Sequence, residues 1–346
     1  MLVPTKARVE TNEERKKAII VGSVHSTQLY QYSIENQFWT QLTMKDGCAS
    51  IFEIDKNVYT MSDFGDITSF SENKVYKFPS NVSTRFLHQC KIGNKILVLH
   101  RSHSPTEPII DSKLFDPKTC LWKELKIEVK RFNFTAVEYM GMVWILGGQS
   151  IEHSQRDCTS SIEIYDPITD TLKPSPIKMC CKRSWHNSIV YKDKVYVFGG
   201  FNYDGYFAQL NSVEMYSPKS NKFVMMAPMK TARSNFACCR IKNLVYVIDD
   251  GYYNNGSIEI YNLDNDTWSE GADFPFVCSS AFRACAFKHE LNDLAVVNNA
   301  QMEAVEAPKQ IKPFSGLLHG QEIRKSQEKL RKMTKVRKSQ VKMGDF

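Results

Sequence analysis

One spacing recurs along this chain and constrains its fold more than any other feature. A segment that reads as a β-strand ends in an aromatic residue, and a second large apolar residue follows seven positions later. Pro, Asn or Asp between the two favours a tight hairpin turn. Five pairs keep this spacing: Tyr32 and Trp39, Phe115 and Trp122, Tyr165 and Leu172, Tyr216 and Phe223, and Tyr261 and Trp268. A sixth, weaker pair, Phe70 and Tyr76, is one residue shorter.

Each hairpin follows an apolar segment that ends in small or variable residues. The clearest copies end in Gly147-Gly148 and Gly199-Gly200, whereas Leu99-His100 and Asp249-Asp250 replace the glycines in two repeats. Glycine permits a tight turn and a close approach to a neighbouring segment, where a Cβ atom would clash. The units recur about every 37 to 52 residues, as propeller blades do. We therefore expect radially stacked blades, with the aromatic residues filling the wedges between them.

The strands that open the repeats predict the number of blades. Five openers lie near residues 48–54, 86–92, 132–139, 184–191 and 235–241. The strand at 18–23 has no opener, whereas residues 281–288 resemble an opener with no repeat after it. Joining these two orphans gives six blades, closed by pairing the C-terminal strand with the N-terminal strands, which removes exposed sheet edges.

The predicted fold is therefore an all-β, six-bladed propeller over residues 18–295. A polar linker (1–17) precedes it, and a basic, partly helical or disordered tail (296–346) follows. The net charge of +7 belongs to this tail, because residues 309–346 contain eleven Lys and Arg against three acidic residues, leaving the rest of the chain at −1. Nucleic acid is thus not an expected partner of the propeller. The tail could contact acidic lipid, RNA or an acidic protein surface.

The diglycines, the strand-ending tyrosines and the apolar residues that follow them resemble the kelch repeat. The resemblance covers roughly residues 18 to 290 and is clearest in the middle three repeats. It extends to the kelch propeller of the BTB-kelch (kelch-like) proteins, which usually has six blades. The residues that would maintain the repeat are Gly147, Gly148, Gly199, Gly200, Tyr165, Tyr216, Tyr261, Trp39, Trp122 and Trp268.

This resemblance implies a protein-binding module rather than an enzyme. BTB-kelch proteins act as substrate adaptors of cullin-RING ubiquitin ligases, and other kelch proteins bind actin, so ubiquitination and the cytoskeleton are the two expected settings. BTB and BACK domains are not recognised in this sequence. Components of a cullin-RING ligase would therefore be reached only through a BTB region supplied elsewhere. The chain is expected to be a fragment, a divergent paralogue or a kelch protein working alone.

Arginines at the starts of the openers are the first candidates for partner binding: Arg85, Arg131, Arg183 and Arg233. Arg283 lies near the equivalent place in the closing strand. In the kelch arrangement the opener is the innermost strand, so the resemblance implies that these residues ring the central channel at one face. Guanidinium groups bind carboxylates through paired hydrogen bonds, which predicts an acidic protein or peptide as partner. The alternative is that the arginines bond to carbonyls of neighbouring blades and hold the ring together.

The loops after the glycine strands are the second candidate, because variable loops on a rigid scaffold usually carry binding specificity. Aromatic residues in these loops would anchor a protein partner. They are Tyr203, Tyr206, Phe207, Tyr252 and Tyr253. The alternative is that some of these loops fold back and cover the blades.

Sequence motifs for enzymatic chemistry are not evident. His100 and His103 have the spacing of a metal pair without an evident third ligand, and His186 is expected to be structural. Ten scattered cysteines without a CxxC pair indicate reduced thiols in a cytoplasmic protein. The sequence also lacks a signal peptide and an apolar run long enough for a membrane span. We predict no catalytic residue, metal or cofactor, with an enzyme on the propeller scaffold as the third alternative.

Overall fold

The computed structural model describes most of the predicted propeller. The described residues are 18–23, 28–34, 38–43, 50–55, 57–62, 65–69, 72, 74–79, 88–99, 112–150, 157–203, 207–248, 257–272, 282–287 and 302–303. The chain divides into two compact units, Met1–Glu306 and Ala307–Phe346, and every described residue belongs to the first. The predicted linker and, apart from residues 302–303, the predicted tail lie outside the described residues. Within that described portion, no helix is long and apolar enough to cross a membrane.

Six sheets of four or five strands form the blades in the described part of the chain. Blade 1 contains β1 (Ala18–Ser23), β2 (Gln28–Ser33) and β3 (Phe38–Thr43), together with β28 (Phe282–Phe287) and β29 (Met302–Glu303). Blade 2 contains β4 (Ser50–Ile54), β5 (Asn57–Met61), β6 (Ile67–Ser69) and β7 (Lys74–Tyr76). Blade 3 contains β8 (His88–Ile92), β9 (Lys95–Leu99), β10 (Lys113–Asp116) and β11 (Leu121–Glu124).

The other three blades show the repeat most regularly. Blade 4 contains β13 (Thr135–Tyr139), β14 (Met142–Leu146), β16 (Ser161–Asp166) and β17 (Thr171–Lys178). Blade 5 contains β18 (Asn187–Tyr191), β19 (Lys194–Phe198), β22 (Val213–Ser217) and β23 (Lys222–Met226). Blade 6 contains β24 (Ala237–Ile241), β25 (Leu244–Ile248), β26 (Ile258–Asn262) and β27 (Thr267–Glu270). Two small ribbons pair β12 (Arg131–Phe132) with β15 (Gln149–Ser150), and β20 (Phe201–Tyr203) with β21 (Phe207–Gln209). The predicted all-β, six-bladed propeller is thus confirmed.

Blade 1 combines strands from both ends of the described chain. β28 pairs antiparallel with β1, with Phe287 opposite Ala18 and Phe282 opposite Ser23. β28 also contacts β4 of blade 2 and β24 of blade 6. At the other edge of the blade, β29 pairs with β3, and this strand lies past residue 295, where the sequence predicted the end of the propeller.

The hydrophobic core lies between blades rather than within them. Five clusters of buried residues occur among the described residues, and each combines side chains of two neighbouring blades. One cluster packs Phe198 of blade 5 against Val247 and Tyr261 of blade 6. Another joins Ile258 of blade 6 to Ile19 of blade 1, so packing continues from the last repeat to the first strand. Burying each such side chain stabilises the fold by about 1.5–3 kcal/mol.

The seven-residue spacing sets the register of the outer hairpins. In all five pairs, the two residues are direct cross-strand partners. The hydroxyls of Tyr165 and Tyr216 donate to Asp170 (3.0 Å) and Asn221 (2.8 Å) in the turns, and both turn residues have a φ of +53°. Asp and Asn adopt this left-handed conformation more readily than most residues. The sixth pair differs, because Tyr76 is opposite Ile67 and Phe70 lies outside the described residues.

Candidate functional site: the channel mouth

The segments that lead into the inner strands of blades 4, 5 and 6 share one conformation. Asn133, Trp185 and Asn235 each precede the inner strand by two residues, with φ values of +54°, +54° and +62°. The backbone N–H of Trp185 donates to the carbonyl of Asn133 (2.9 Å), and that of Asn235 donates to the carbonyl of Trp185 (2.8 Å). The N–H of Asn133 donates to Nε2 of His88 in blade 3 (3.2 Å). This series of hydrogen bonds crosses from blade to blade at the end of the channel where the inner strands begin.

We call the described residues at this end the mouth surface. It consists of the three segment residues, the residue before each of the two asparagines, and two residues of the adjoining ribbon: Phe132, Asn133, Trp185, Ser234, Asn235, Asn202 and Tyr203. The ribbon joins the segments through an antiparallel bridge between Ser184 and Phe201. The mouth surface is therefore built on paired backbone.

The diglycines allow this pairing. Gly147 and Gly199 have φ values of +61° and +54°, and Gly148 and Gly200 have values of +95° and +101°. A Cβ atom on Gly147 would lie 2.6 Å from the carbonyl oxygen of Arg183 in the next segment. The N–H of Gly148 instead donates to that carbonyl at 2.8 Å. Each diglycine therefore turns the chain and bonds it to the next blade, which no side chain could permit.

The arginines that begin these segments point into the protein. Arg183 is fully buried and its Nη2 lies 2.6 Å from Oε1 of Glu214, whose side chain is also fully buried. Arg233 is 1% exposed and its Nη2 lies 2.7 Å from Oε1 of Glu259. Each guanidinium also donates to a serine hydroxyl, Ser212 at 3.1 Å for the first arginine and Ser257 at 2.8 Å for the second. Charge-assisted bonds of this kind are the strong ones.

The two glutamates also accept hydrogen bonds from backbone N–H groups of the residues just before each arginine. Glu214 accepts hydrogen bonds from the backbone N–H groups of Cys180 and Cys181. Glu259 accepts them from Lys230 (2.7 Å) and Thr231 (3.1 Å). Several hydrogen bonds per carboxylate are what a buried ion pair needs to offset its desolvation. We call Arg183–Glu214, Arg233–Glu259 and the corresponding pair in blade 4 the arginine–glutamate clamps.

The clamp of blade 4 is less buried. Nη2 of Arg131 lies 3.3 Å from Oε1 of Glu163, and the two side chains are 11% and 23% exposed. Nη1 of Arg131 also donates to the carbonyls of Gly147 (3.2 Å) and Ser161 (3.0 Å). In blade 3 the position of the glutamate is occupied by Lys113, which is buried and pairs with Glu124 at 3.3 Å.

The geometry thus favours a structural role for the arginines, but not the predicted bonds to carbonyls of neighbouring blades. Each guanidinium bonds within the blade that its segment leads into, as Arg183 does with Gly199, Ser212 and Glu214 of blade 5. Arg183 and Arg233 have almost no exposed surface and are neutralised by carboxylates, so they offer no cationic face to an acidic partner. Sequence reasoning missed these glutamates, although each lies two residues before the strand-ending tyrosine of its repeat. Arg85 lies outside the described residues, and only the backbone of Arg283 is described, opposite Gly22.

The predicted loop residues are only partly described. Tyr203 is half-buried at the end of β20, and the backbone of Phe207 pairs with it in β21. Tyr206, Tyr252 and Tyr253 lie outside the described residues, as do the two candidate metal ligands His100 and His103. Among the residues that the structure describes, no three or more His, Cys, Asp or Glu side chains form a group that could hold a metal ion.

Trp185 is a candidate that sequence reasoning missed. It is 39% exposed and has a φ of +54°, whereas the equivalent residues of both neighbouring blades are asparagines. A bulky residue in the left-handed region costs about 1–2 kcal/mol, and such strain is concentrated at functional sites. Aligning the three segments on their arginines places the tryptophan in a column of asparagines, and this substitution was the available signal.

His186 follows directly and is buried. Its ring lies against the diglycines, since a Cβ atom on Gly147 would be 2.8 Å from its Cε1. Both ring nitrogens are buried. Burial lowers the pKa of His186 well below its usual value, and the charge of Arg183 lowers it further. Phenylalanines, Phe134 and Phe236, occupy the equivalent position in the neighbouring blades, so a neutral, space-filling role fits this histidine.

Comparison with known proteins bears on the repeat. Residues 182–230 match the family model of the Kelch motif. The predicted kelch repeat is therefore confirmed. The chain is 26% identical over 191 residues to Kelch-like protein 36 of Bos taurus, covering 52% of this chain and 30% of that protein. It is 33% identical over 111 residues to Kelch-like protein 7 of Rattus norvegicus, covering 32% and 18%.

Two further similarities cover 42% and 59% of this chain. Kelch repeat and BTB domain-containing protein 8 of Danio rerio is 25% identical over 152 residues, covering 42% of this chain and 23% of that protein. The solved structure titled "Structure of YjhT" superposes with a TM-score of 0.47 and 13% identity over 59% of this chain and 68% of that chain. The matched region spans less than a third of the length of each curated relative cited here.

Proposed function

We propose that this chain is a protein-binding module and that its partner docks on the mouth surface. The observation that carries the proposal is Trp185, a bulky aromatic residue that is 39% exposed. It is held in a left-handed conformation, and the equivalent residues of the two neighbouring segments are asparagines that also have a positive φ. A tryptophan at this position costs stability, and contact with a partner would offset that cost. Tryptophan is also enriched among the residues that dominate binding energy at protein interfaces.

The structure around Trp185 supports a preorganised site. Its backbone N–H and C=O are both bonded to neighbouring segments. The segment that contains Trp185 begins with Arg183, and the neighbouring segments begin with Arg131 and Arg233. Each of these arginines is paired with a glutamate of its blade. A surface that is already ordered loses little conformational entropy on binding.

For the cellular role, we propose a substrate-recognition propeller of the kind used by cullin-RING ligase adaptors. The support is the kelch repeat together with the similarity to a relative named for both kelch repeats and a BTB domain. In this role the mouth surface would bind the protein to be ubiquitinated, and a BTB region supplied elsewhere would engage the ligase. Loss of ubiquitination of a captured partner after depletion of this chain would support the role, and unchanged ubiquitination would contradict it.

The binding site itself can be tested with two matched variants. Trp185→Asn installs the residue of the neighbouring segments. Met140→Asn changes an equally strained residue, which has a φ of +53° and is 79% exposed, in the turn at the opposite end of the inner strand β13. In proximity labelling, we expect the first variant to lose partners that the parent and the second variant retain. Identical labelling by all three, with circular dichroism showing folded protein, would contradict the proposed site.

A further inference from the structure

Blade 1 contains one strand more than the repeat explains. In each of the other five blades the described sheet has four strands, and the fourth forms the outer edge. In blade 1 the corresponding four strands are β28, β1, β2 and β3, and β29 adds a fifth outside β3. Met302 is opposite Leu42 and Glu303 is opposite Gln41, so β29 pairs with two of the six residues of β3. β29 is therefore an addition to the outer edge of a complete blade.

The strand that β29 covers differs in composition from the other outer strands. β3 has the sequence FWTQLT, which contains neither a charged residue nor a proline. Charges and prolines at a sheet edge prevent it from pairing with another chain. Six uncharged residues with a high β propensity favour such pairing. Each of the other five described outer strands contains at least one charge or proline: Lys74 in β7, Lys123 and Glu124 in β11, Lys173, Pro174, Pro176 and Lys178 in β17, Lys222 in β23, and Glu270 in β27.

β29 supplies what the edge of β3 lacks. It contains Glu303, so with β29 in place the outermost strand of blade 1 also carries a charge. Residues 288–301 connect it covalently to β28 of the same blade. A connected strand has an effective concentration on the order of 1 mM at its binding site. It therefore competes well against a second molecule at micromolar concentration, although it pairs with only two residues.

We propose that β29 keeps the outer edge of β3 from pairing with a second copy of this chain. Such a short pairing is among the first contacts to open in a folded protein. Once β29 has left, two β3 strands pair antiparallel about a twofold axis and join two blades into one sheet. The edges match, because both have six residues and neither brings a charge against the other. A twofold contact uses both edges, so association stops at the dimer.

The chain carrying both Met302→Pro and Glu303→Pro tests this role, because proline cannot donate the hydrogen bonds of a strand. The matched control carries the same two prolines at Lys309 and Gln310, outside β29. Sedimentation equilibrium at about 10 µM, far below the effective concentration of the connected strand, measures the mass of each protein. We expect one chain for the parent and the control, and close to twofold that mass for the β29 variant. Adding Gln41→Lys, which places a charge on β3, should return the β29 variant to one chain.

A β29 variant that is folded by circular dichroism and still has the mass of one chain would overturn the proposal. A dimer that persists with Gln41→Lys, or aggregates of no fixed size, would show that the contact lies elsewhere and would overturn it too. If the prolines unfold the chain, the parent decides, because its mass should rise towards two chains between about 10 µM and about 1 mM. Gln41→Lys should prevent this rise, and a parent that remains a single chain throughout would contradict the proposal.

Discussion

Replacing Glu214 with Gln should reveal how much the arginine–glutamate clamps stabilise the ring. The carboxylate and the Arg183 guanidinium are both fully buried, with the charged atoms 2.6 Å apart. Glu214→Gln leaves the guanidinium buried without a counter-charge, which typically costs about 3–5 kcal/mol. The same change at Glu163 affects a longer, 3.3 Å pair that is partly exposed. For that pair we expect a loss of about 1 kcal/mol, as for other solvent-accessible ion pairs.

Urea-induced unfolding, followed by circular dichroism, compares the two variants with the parent. We expect Glu214→Gln to lower the free energy of unfolding by several times as much as Glu163→Gln. The double variant Arg183→Met/Glu214→Leu should be less destabilised than the sum of its single changes, because it leaves no buried charge unpaired. Equal losses for the two Gln variants, or an Arg183→Met protein as stable as the parent, would refute the structural role of the arginines.

Three further predictions concern the groups around the clamps. The pKa of His186 is lower in the folded protein than in the unfolded chain, so the unfolded state binds more protons below about pH 6.5. The free energy of unfolding should therefore fall as the pH drops from 7 to 5. In urea titrations at each pH, His186→Phe should remove most of this dependence. Gly199→Ala should destabilise the protein far more than Gly141→Ala, as thermal unfolding can measure. A Cβ atom on Gly199 would lie 2.7 Å from the carbonyl oxygen of Arg233 in the next segment, whereas one on Gly141 would meet nothing within 4 Å. Both glycines have a positive φ, so backbone strain is common to the two variants. Partial desolvation of the Cys180 thiol and the nearby Glu214 carboxylate raise the pKa of Cys180 to about 11. Its alkylation by iodoacetamide at pH 8 should therefore be slow although the residue is largely exposed, and fast labelling in peptide mapping would contradict this.

The blades could be predicted because the residues that specify each outer hairpin lie close together in the sequence. A hairpin of fixed length places the residue seven positions after Tyr165 or Tyr261 directly opposite it, so the spacing alone predicts the register. The weak sixth pair did not follow this rule, since Tyr76 is opposite Ile67. The outer strands of blade 2 are only three residues long, so their sequence contains too few alternating positions to specify the register.

The site was harder to predict because it depends on contacts between distant residues. Arg183 and Glu214 are 31 positions apart, and the segment of the arginine has no regular periodicity that shows where its side chain points. The same arginine spacing is compatible with two structures, one in which the side chains line the channel and one in which they are buried in ion pairs with glutamates. Trp185 could not be identified from its residue type, because its importance arises from its positive φ and from the asparagines, Asn133 and Asn235, at the equivalent positions of the neighbouring segments.

Photo-crosslinking from position 185 tests the central claim most directly. Replacing Trp185 with benzoylphenylalanine keeps an aromatic residue at the mouth surface, and the same replacement of Met140 places the crosslinker in a turn at the other end of β13. With a partner captured by the parent chain, we predict a covalent adduct from position 185 and none from position 140. An adduct from position 140 alone, or none from position 185 while the partner still binds, would show that the partner docks away from the channel mouth.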